Sequence, residues 1–450
     1  MLSDKNVLKS TIRANYPVID HGEGAYLFDK EGKRYLDFAA GIAVANIGHG
    51  VKEVADAIYE QMTKVAYVYG GTFLSEKRMQ LAQQIAEMAP EGLNHVFFCS
   101  GGSEAMESVM KISRQYWIEA GKPSKHKIIG RWQSYHGNTM ATLALGGRPS
   151  WRAPYEDYGF ASPHVAQCNC YRCPFGLEKD NCGLLCAEEL ERIINYEGPE
   201  TVAAFVLEPI IGTTASATIP PIDYIRRIRE ICDKYDVLLC FDEVITGYGR
   251  TGKNFAADHF GVVPDIIGSA KGLGCGYAPI GAVIVSDRIV DTIADGSGKL
   301  VHSFTFSGNP VACASASAVL DYIKKHDLVK RSAEMGVLFL SKLKTLENLP
   351  CVGEVRGIGM MYGVEFVRNK KTKEPFPAEF GFCAKLVKYC FERGLMVSGG
   401  VPGTVDGHVG EALQIAPPFI ITEEQMDFAV SVLRDGIQAV LDEAEQKKVD

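Results

Sequence analysis

The stretch LLCFDEVITGYGRTGKNFAADHFGVVPDIIGSAK runs from Leu238 to Lys271 and holds two short apolar runs. Asp242 and Glu243 close the first run, and Lys271 stands just past the second. Short runs rich in Val, Leu, Ile and Phe, bounded by turn residues, read as buried strands of a sheet covered on both faces. Working outward, VAAFVLEPI upstream is a further apolar run ending in Glu208, and a helical pattern near Tyr224–Lys234 separates the two. Strands alternating with helices at this spacing predict parallel β-α-β units. Glu208, Asp242 and Lys271 then emerge on one edge of the sheet, where open α/β sheets bind ligands.

A buried carboxylate is costly unless a cation meets it, and a lysine in an apolar cleft tends to lose its proton and become a nucleophile. Pyridoxal 5′-phosphate uses both groups together. Its aldehyde forms a Schiff base with a lysine, and an acidic partner keeps its ring nitrogen protonated so that the ring accepts electrons. The same two residues also fit a surface ion pair at two strand ends.

Three further stretches bear on that choice. HVFFCS reads as a strand feeding a helix, GGSEAMESVMKISRQYWIEAG, so Gly101, Gly102 and Ser103 sit at a helix N-terminus suited to a phosphate or form a plain capped turn. KIIGRWQ reads as a strand that delivers Tyr135 and His136, an aromatic placed to stack on a flat ring or to pack ordinarily. AAGIAVANIGHG is small and glycine-rich, which suits a cleft wall or a tight crossing. Tyr67, Tyr69 and Phe73, in YVYGGTF, fit either a substrate pocket or a packed helix connection.

The 450 residues exceed one usual core, so more than one domain is expected. Residues 1–50, which hold the hairpin GAYLFDKEGKRYLDF, and residues 326–450 are expected to build a smaller α+β domain. Residues 51–325 are expected to form the large one. A net charge of −8 with interspersed signs argues against a nucleic-acid or anionic-membrane partner. No apolar run is long enough to span a bilayer, and MLSDKNVLKS lacks a secretory apolar core, so a cytoplasmic protein is expected. Of thirteen cysteines, Cys168, Cys170, Cys173, Cys182 and Cys186 crowd one aperiodic stretch. By number they suit zinc or an iron–sulfur centre, but their spacing lacks two clean C-x-x-C knuckles, and reduced thiols in an insertion loop are the other reading.

Taken together, FDEVITGYGRTG, PDIIGSAKGLGCGYAPIGAV, the LFDKEGKRYLDF hairpin and IAPPFIIT resemble the class III pyridoxal-phosphate aminotransferases of fold type I, which handle ω-amines and ω-amino acids. The interval of 29 residues from Asp242 to Lys271 fits that family. The resemblance implies a mostly parallel central sheet covered by helices plus the smaller domain. It makes Lys271 the Schiff-base lysine and proton carrier, and Asp242 the partner of the pyridine nitrogen. Val244 packs against the ring, Gly102 and Ser103 hold the phosphate, Tyr135 lies over the ring with His136 nearby, and Glu208 lies beside it. Thr305 would reach the phosphate of a neighbouring subunit, which implies a homodimer or dimer of dimers with shared sites. No metal is implied.

Two positions depart from members that use glutamate and 2-oxoglutarate: Asn138 and Gln414 stand where arginine is often found. Losing a bidentate carboxylate clamp weakens a dicarboxylate acceptor. Arg131, Arg148 or Arg152 are candidates to compensate, and pyruvate is the favoured acceptor. The expected reaction is ping-pong transfer of an amino group from a primary amine to a keto acid. A racemase or epimerase, an aminomutase and a decarboxylase are alternatives on the same fold. A non-catalytic, metal-binding member using the cysteine loop is a remote one.

Overall fold

The structure is a computed structural model describing residues 4–159, 161–400 and 402–446. At its centre a seven-stranded sheet runs in the order Leu93–Cys99, Gly281–Ser286, Ile266–Ser269, Leu238–Asp242, Val202–Leu207, Lys127–Arg131 and His164–Val165. Every neighbouring pair from Ile266–Ser269 to His164–Val165 is parallel, as the strand–helix alternation predicts. Gly281–Ser286 alone runs against its neighbours in this sheet. The connection leading to it carries only the short 3₁₀ turn Lys271–Leu273, and a parallel return needs a longer crossover.

Side chains alternate between the two sheet faces. Phe205, Leu207, Leu239, Phe241 and Ile267 join one core cluster with Tyr224, Ile225 and Ile228 of the helix Ile222–Lys234. Ala204, Val206, Leu238, Cys240 and Ile266 join the other with Met106, Val109, Ile112 and Trp117 of the helix Gly102–Glu119. Trp117 also donates from Nε1 to the Ala203 carbonyl at 2.7 Å, which ties that helix to the sheet.

Two smaller sheets flank this body. Ile19–Glu23, Tyr26–Asp29, Arg34–Asp37 and Leu395–Met396 form one, and the last pair is parallel, with Leu395 opposite Leu36. Val352–Ile358, Met361–Phe366 and Glu411–Ile415 form the other, antiparallel throughout. Among the described residues no helix is long and apolar enough to cross a membrane.

Immediately after Asp242 the chain turns away from the sheet, and Glu243 fixes that turn. Its buried carboxylate accepts from Thr246 Oγ1 at 2.6 Å and from the backbone N–H groups of Ala256 and Ala257 at 2.7 and 2.8 Å. Replacing Glu243 with alanine leaves these buried donors without an acceptor, and each such loss is unfavourable. Glu243→Ala is expected to lower apparent stability by about 3 kcal/mol, read as a lower urea midpoint.

Candidate active site

Sheet register brings the predicted residues together. Leu207 lies opposite Phe241, so Glu208 and Asp242 leave neighbouring parallel strands side by side, and Asp242 lies opposite Gly268, just before Lys271. A cavity of about 370 Å³ opens at this edge. Gly102, Ser103, Tyr135, His136, Glu208, Asp242, Val244 and Lys271 all line it. Val44 from the small, glycine-rich stretch and Ile245, Ala270 and Ile280 complete much of the wall.

Both carboxylates in the cavity are held by hydrogen bonds. Asp242 Oδ2 lies 2.8 Å from His136 Nδ1, and Asp242 Oδ1 accepts from the Val244 N–H at 3.0 Å. That contact makes His136 Nδ1 the donor, and its buried Nε2 has no hydrogen-bond partner. Glu208 accepts from the Tyr135 N–H at 3.0 Å and from the Gly212 N–H at 2.7 Å. Burial and then the nearby Asp242 push the Glu208 carboxyl up, against the opposing pull of His136. Burial, then Asp242, also raises the Tyr135 phenol.

Lys271 is half-buried and opens its 3₁₀ turn with φ at +32°, a left-handed conformation that costs a residue other than glycine. Desolvation brings its ammonium down to about 8, although Asp242 and Glu208 oppose the shift and Arg250 adds to it. A lysine poised there exchanges a proton readily near neutral pH.

These residues fit pyridoxal phosphate. The helix Gly102–Glu119 begins at Gly101 with no side-chain cap, so its first-turn N–H groups and dipole remain available to a phosphate. A Cβ on Gly102 would stand 3.0 Å from Val244 Cγ1, so glycine keeps that end of the cavity open. A carboxylate for the ring nitrogen, an aromatic wall and a lysine for the carbonyl carbon share the same space.

Outside the cavity lies a mouth that shares Val44, Tyr135 and Lys271 with it and adds Ile42, Asn138, Met140, Leu143, Trp151 and Tyr155. Trp151 meets Tyr135 edge-on at 5.1 Å. Trp151 and Tyr155 come from the aperiodic region after Pro149, and only their aromatic character in that region hinted at a site.

Several candidate residues lie outside this chain's cavity and mouth. Tyr67, Tyr69 and Phe73 are exposed and line neither cavity nor mouth, and the Tyr67 hydroxyl donates to the Thr305 carbonyl at 3.1 Å. Thr305 is likewise exposed and outside this chain's cavity. Arg131, Arg148 and Arg152 do not line the cavity or mouth either, so they do not compensate for Asn138 and Gln414 there. Other groups take up their guanidinium ions. Arg131 donates to the Glu208 carbonyl at 2.8 Å, Arg148 donates to the Pro402 carbonyl and lies over Trp151, and Arg152 lies over Trp132. Asn138 faces the mouth and its N–H donates to Ser103 Oγ at 3.1 Å, whereas Gln414 is buried in the strand Glu411–Ile415.

Comparison with known proteins agrees with this geometry. The family model for class-III aminotransferases matches residues 10–437. An uncharacterised aminotransferase of Bacillus subtilis is 39% identical over 435 residues, covering 96% of this chain and 98% of that protein. A putrescine–pyruvate aminotransferase of Pseudomonas aeruginosa is 38% identical over 423 residues, covering 93% and 89%. Among solved structures, the omega transaminase from Pseudomonas jessenii in complex with PMP superposes with a TM-score of 0.88 at 34% identity, covering 94% and 93%. The chain therefore belongs to the class-III aminotransferases, enzymes that work with pyridoxal 5′-phosphate.

Proposed function

We propose that this enzyme moves the amino group of a primary amine or ω-amino acid to a small keto acid, pyruvate in preference to 2-oxoglutarate, by ping-pong chemistry. The observation that carries this reading is Lys271, set beside Asp242 and Glu208 and facing a mouth of apolar and aromatic side chains. No arginine stands among the described residues that line that mouth. The Pseudomonas aeruginosa relative, named for putrescine and pyruvate, supports the choice of acceptor.

Pyridoxal phosphate, when bound, supplies an electron-accepting ring that stabilises the charge left as a proton leaves the donor carbon. Lys271 takes that proton at Nζ and returns it on the other side of the reaction. Asp242 keeps a proton on the ring nitrogen, and His136 holds Asp242 in place. The helix N-terminus at Gly102 and Ser103 receives the phosphate, while Tyr135 and Val244 wall the place of the ring. Glu208 stands ready to meet a charged substrate group. Thr305 serves a second subunit's phosphate, so the working enzyme is a homodimer or dimer of dimers. Residues 1–50 and 326–450 form the small domain around a large domain of residues 51–325.

Lys271→Ala is expected to remove the visible absorbance band of the lysine-bound cofactor and to cut turnover by at least roughly 10³-fold, since it removes the proton carrier. Retention of both would refute the assignment. In cofactor-free protein, the reactivity of Lys271 toward a small amine-reactive reagent, followed by peptide mass, should rise with pH through a midpoint near 8. Asp242 favours the charged amine, so Asp242→Asn should move that midpoint to lower pH. With one amine donor, kcat/KM for pyruvate should exceed that for 2-oxoglutarate by about tenfold or more, the worth of a missing charged clamp.

A further inference from the structure

Residues 296–309, between the helices Asp287–Asp295 and Pro310–Lys325, form neither helix nor strand and are mostly exposed. Holding such a stretch in one conformation costs backbone entropy. Its backbone is nevertheless tied down on both sides of Thr305.

On one side stands the helix Gly102–Glu119. Gln115 donates from Nε2 to the Lys299 carbonyl at 2.6 Å and accepts at Oε1 from the Val301 N–H at 2.9 Å, so one amide closes both bonds to the segment's backbone. Glu119 accepts from the Ser297 N–H at 3.0 Å and from the Ser297 hydroxyl. Ser108 Oγ gives its proton to the Glu104 carbonyl at 2.7 Å and lies 2.8 Å from His302 Nε2, so the histidine is the donor of that second bond. The His302 ring also packs against Phe97 and Phe304, with centroids at 5.0 and 4.8 Å. Ser108, Gln115 and Glu119 recur at helical spacing and therefore share one face of the helix.

On the other side the Tyr67 hydroxyl donates to the Thr305 carbonyl at 3.1 Å, and Asn309 Nδ2 donates to the Ala66 carbonyl at 3.1 Å. Tyr67 meets Phe306 edge-on at 6.1 Å. Thr305 is thus an exposed residue on a fixed backbone, and it lines no part of this chain's cavity.

We propose, resting on the role already given to Thr305, that Gln115 and His302 are positioning residues that hold Thr305 where it meets the phosphate of the second subunit. The helix that carries Gln115 begins at Gly102 and Ser103, where this chain's own phosphate is received. One rigid element therefore registers both phosphate sites of a dimer. A change at Gln115 or His302 acts across the subunit boundary and leaves the site of its own chain intact.

Mixed dimers, co-expressed with two different affinity tags and purified on both, separate the two directions. Each is stripped of cofactor, and the Kd for added pyridoxal phosphate is read from the visible band of the lysine-bound cofactor. Lys271→Ala on one subunit silences the band of that subunit, so each dimer reports on a single site. With Gln115→Met on the Lys271→Ala subunit, the reporting site is served by the altered segment. Its Kd is expected to rise about fivefold or more, a large part of the roughly tenfold worth of a hydrogen bond to a charged group. With Gln115→Met on the subunit that keeps Lys271, the reporting site is served by an unaltered segment, and its Kd is expected to stay at the wild-type value. His302→Phe keeps a ring between Phe97 and Phe304 and is expected to show the same asymmetry. Thr305→Ala on the Lys271→Ala subunit checks the reading beneath the proposal: if it leaves Kd unchanged, both fall. If Thr305→Ala raises Kd while Gln115→Met and His302→Phe do not, the role of Thr305 stands and the positioning role is refuted. A rise in Kd confined to the altered subunit's own site, or equal in both arrangements, marks a fault within the helix and would also overturn the proposal.

Discussion

Placing one amine beside two carboxylates at a partly dry sheet edge is the constraint on which the rest of this structure depends. Lys271 is desolvated enough to give up its proton near neutrality, yet Asp242 and Glu208 stand close enough to oppose that loss. Such a balance survives only if none of the three groups can move to a more comfortable place. The fold removes that freedom group by group. His136 and the Val244 N–H hold Asp242, and the Tyr135 and Gly212 N–H groups hold Glu208. Lys271 sits on a strained backbone between a buried strand and a 3₁₀ turn. Parallel register then sets all three on one edge, so the long sheet acts as the jig for a few ångströms of chemistry.

Arg250 joins that jig to the flanking sheets. Its fully buried guanidinium donates to the carbonyls of Met360 and Pro417 at 2.8 and 2.6 Å and to the Asn46 side-chain oxygen, and it lies over Phe419 at 4.8 Å. One side chain from the stretch between Asp242 and Lys271 thus gathers partners from the beginning and the end of the chain. Carbonyl dipoles and a ring face, with no carboxylate among these partners, compensate the charge. Burial accordingly brings even this guanidinium down to about 10. The same positive charge reaches Lys271 and favours its neutral form. Packing of the flanking segments around Arg250 and the acidity of the lysine are therefore coupled through a residue that lines no part of the cavity.

Much of this was legible in the sequence because local pattern and local chemistry coincide there. Apolar runs ending in Glu208, Asp242 and Lys271, and a glycine pair opening a helix, each carry their meaning within about ten residues. Two helix caps are equally local in origin, with Ser75 Oγ accepting from the Arg78 N–H and Asn309 Oδ1 from the Val311 and Ala312 N–H groups. What escaped was set by distant partners. The antiparallel return at Gly281–Ser286 follows from the absence of a crossover helix. The arginines at 131, 148 and 152 looked free for a substrate, but distant carbonyls at Glu208 and Pro402 and the nearer rings of Trp151 and Trp132 engage them. Trp151 and Tyr155 reach the mouth from a region without periodicity, so no spacing rule pointed to them.

The arrangement also separates what must stay constant from what can vary. Asp242, His136, Gly102 and Ser103 line the inner cavity but not the mouth, whereas Met140, Leu143, Trp151 and Tyr155 line the mouth but not the cavity. Among the described residues only Val44, Tyr135 and Lys271 belong to both. A change of side chain in the outer set alters which substrate tail is desolvated without touching the carboxylate–histidine pair or the helix terminus. A change in the inner set alters the acid–base poise for every substrate alike. Function on such a scaffold resides in the site and not in the fold, and here the site itself is layered, with Lys271 at the boundary where the two layers meet.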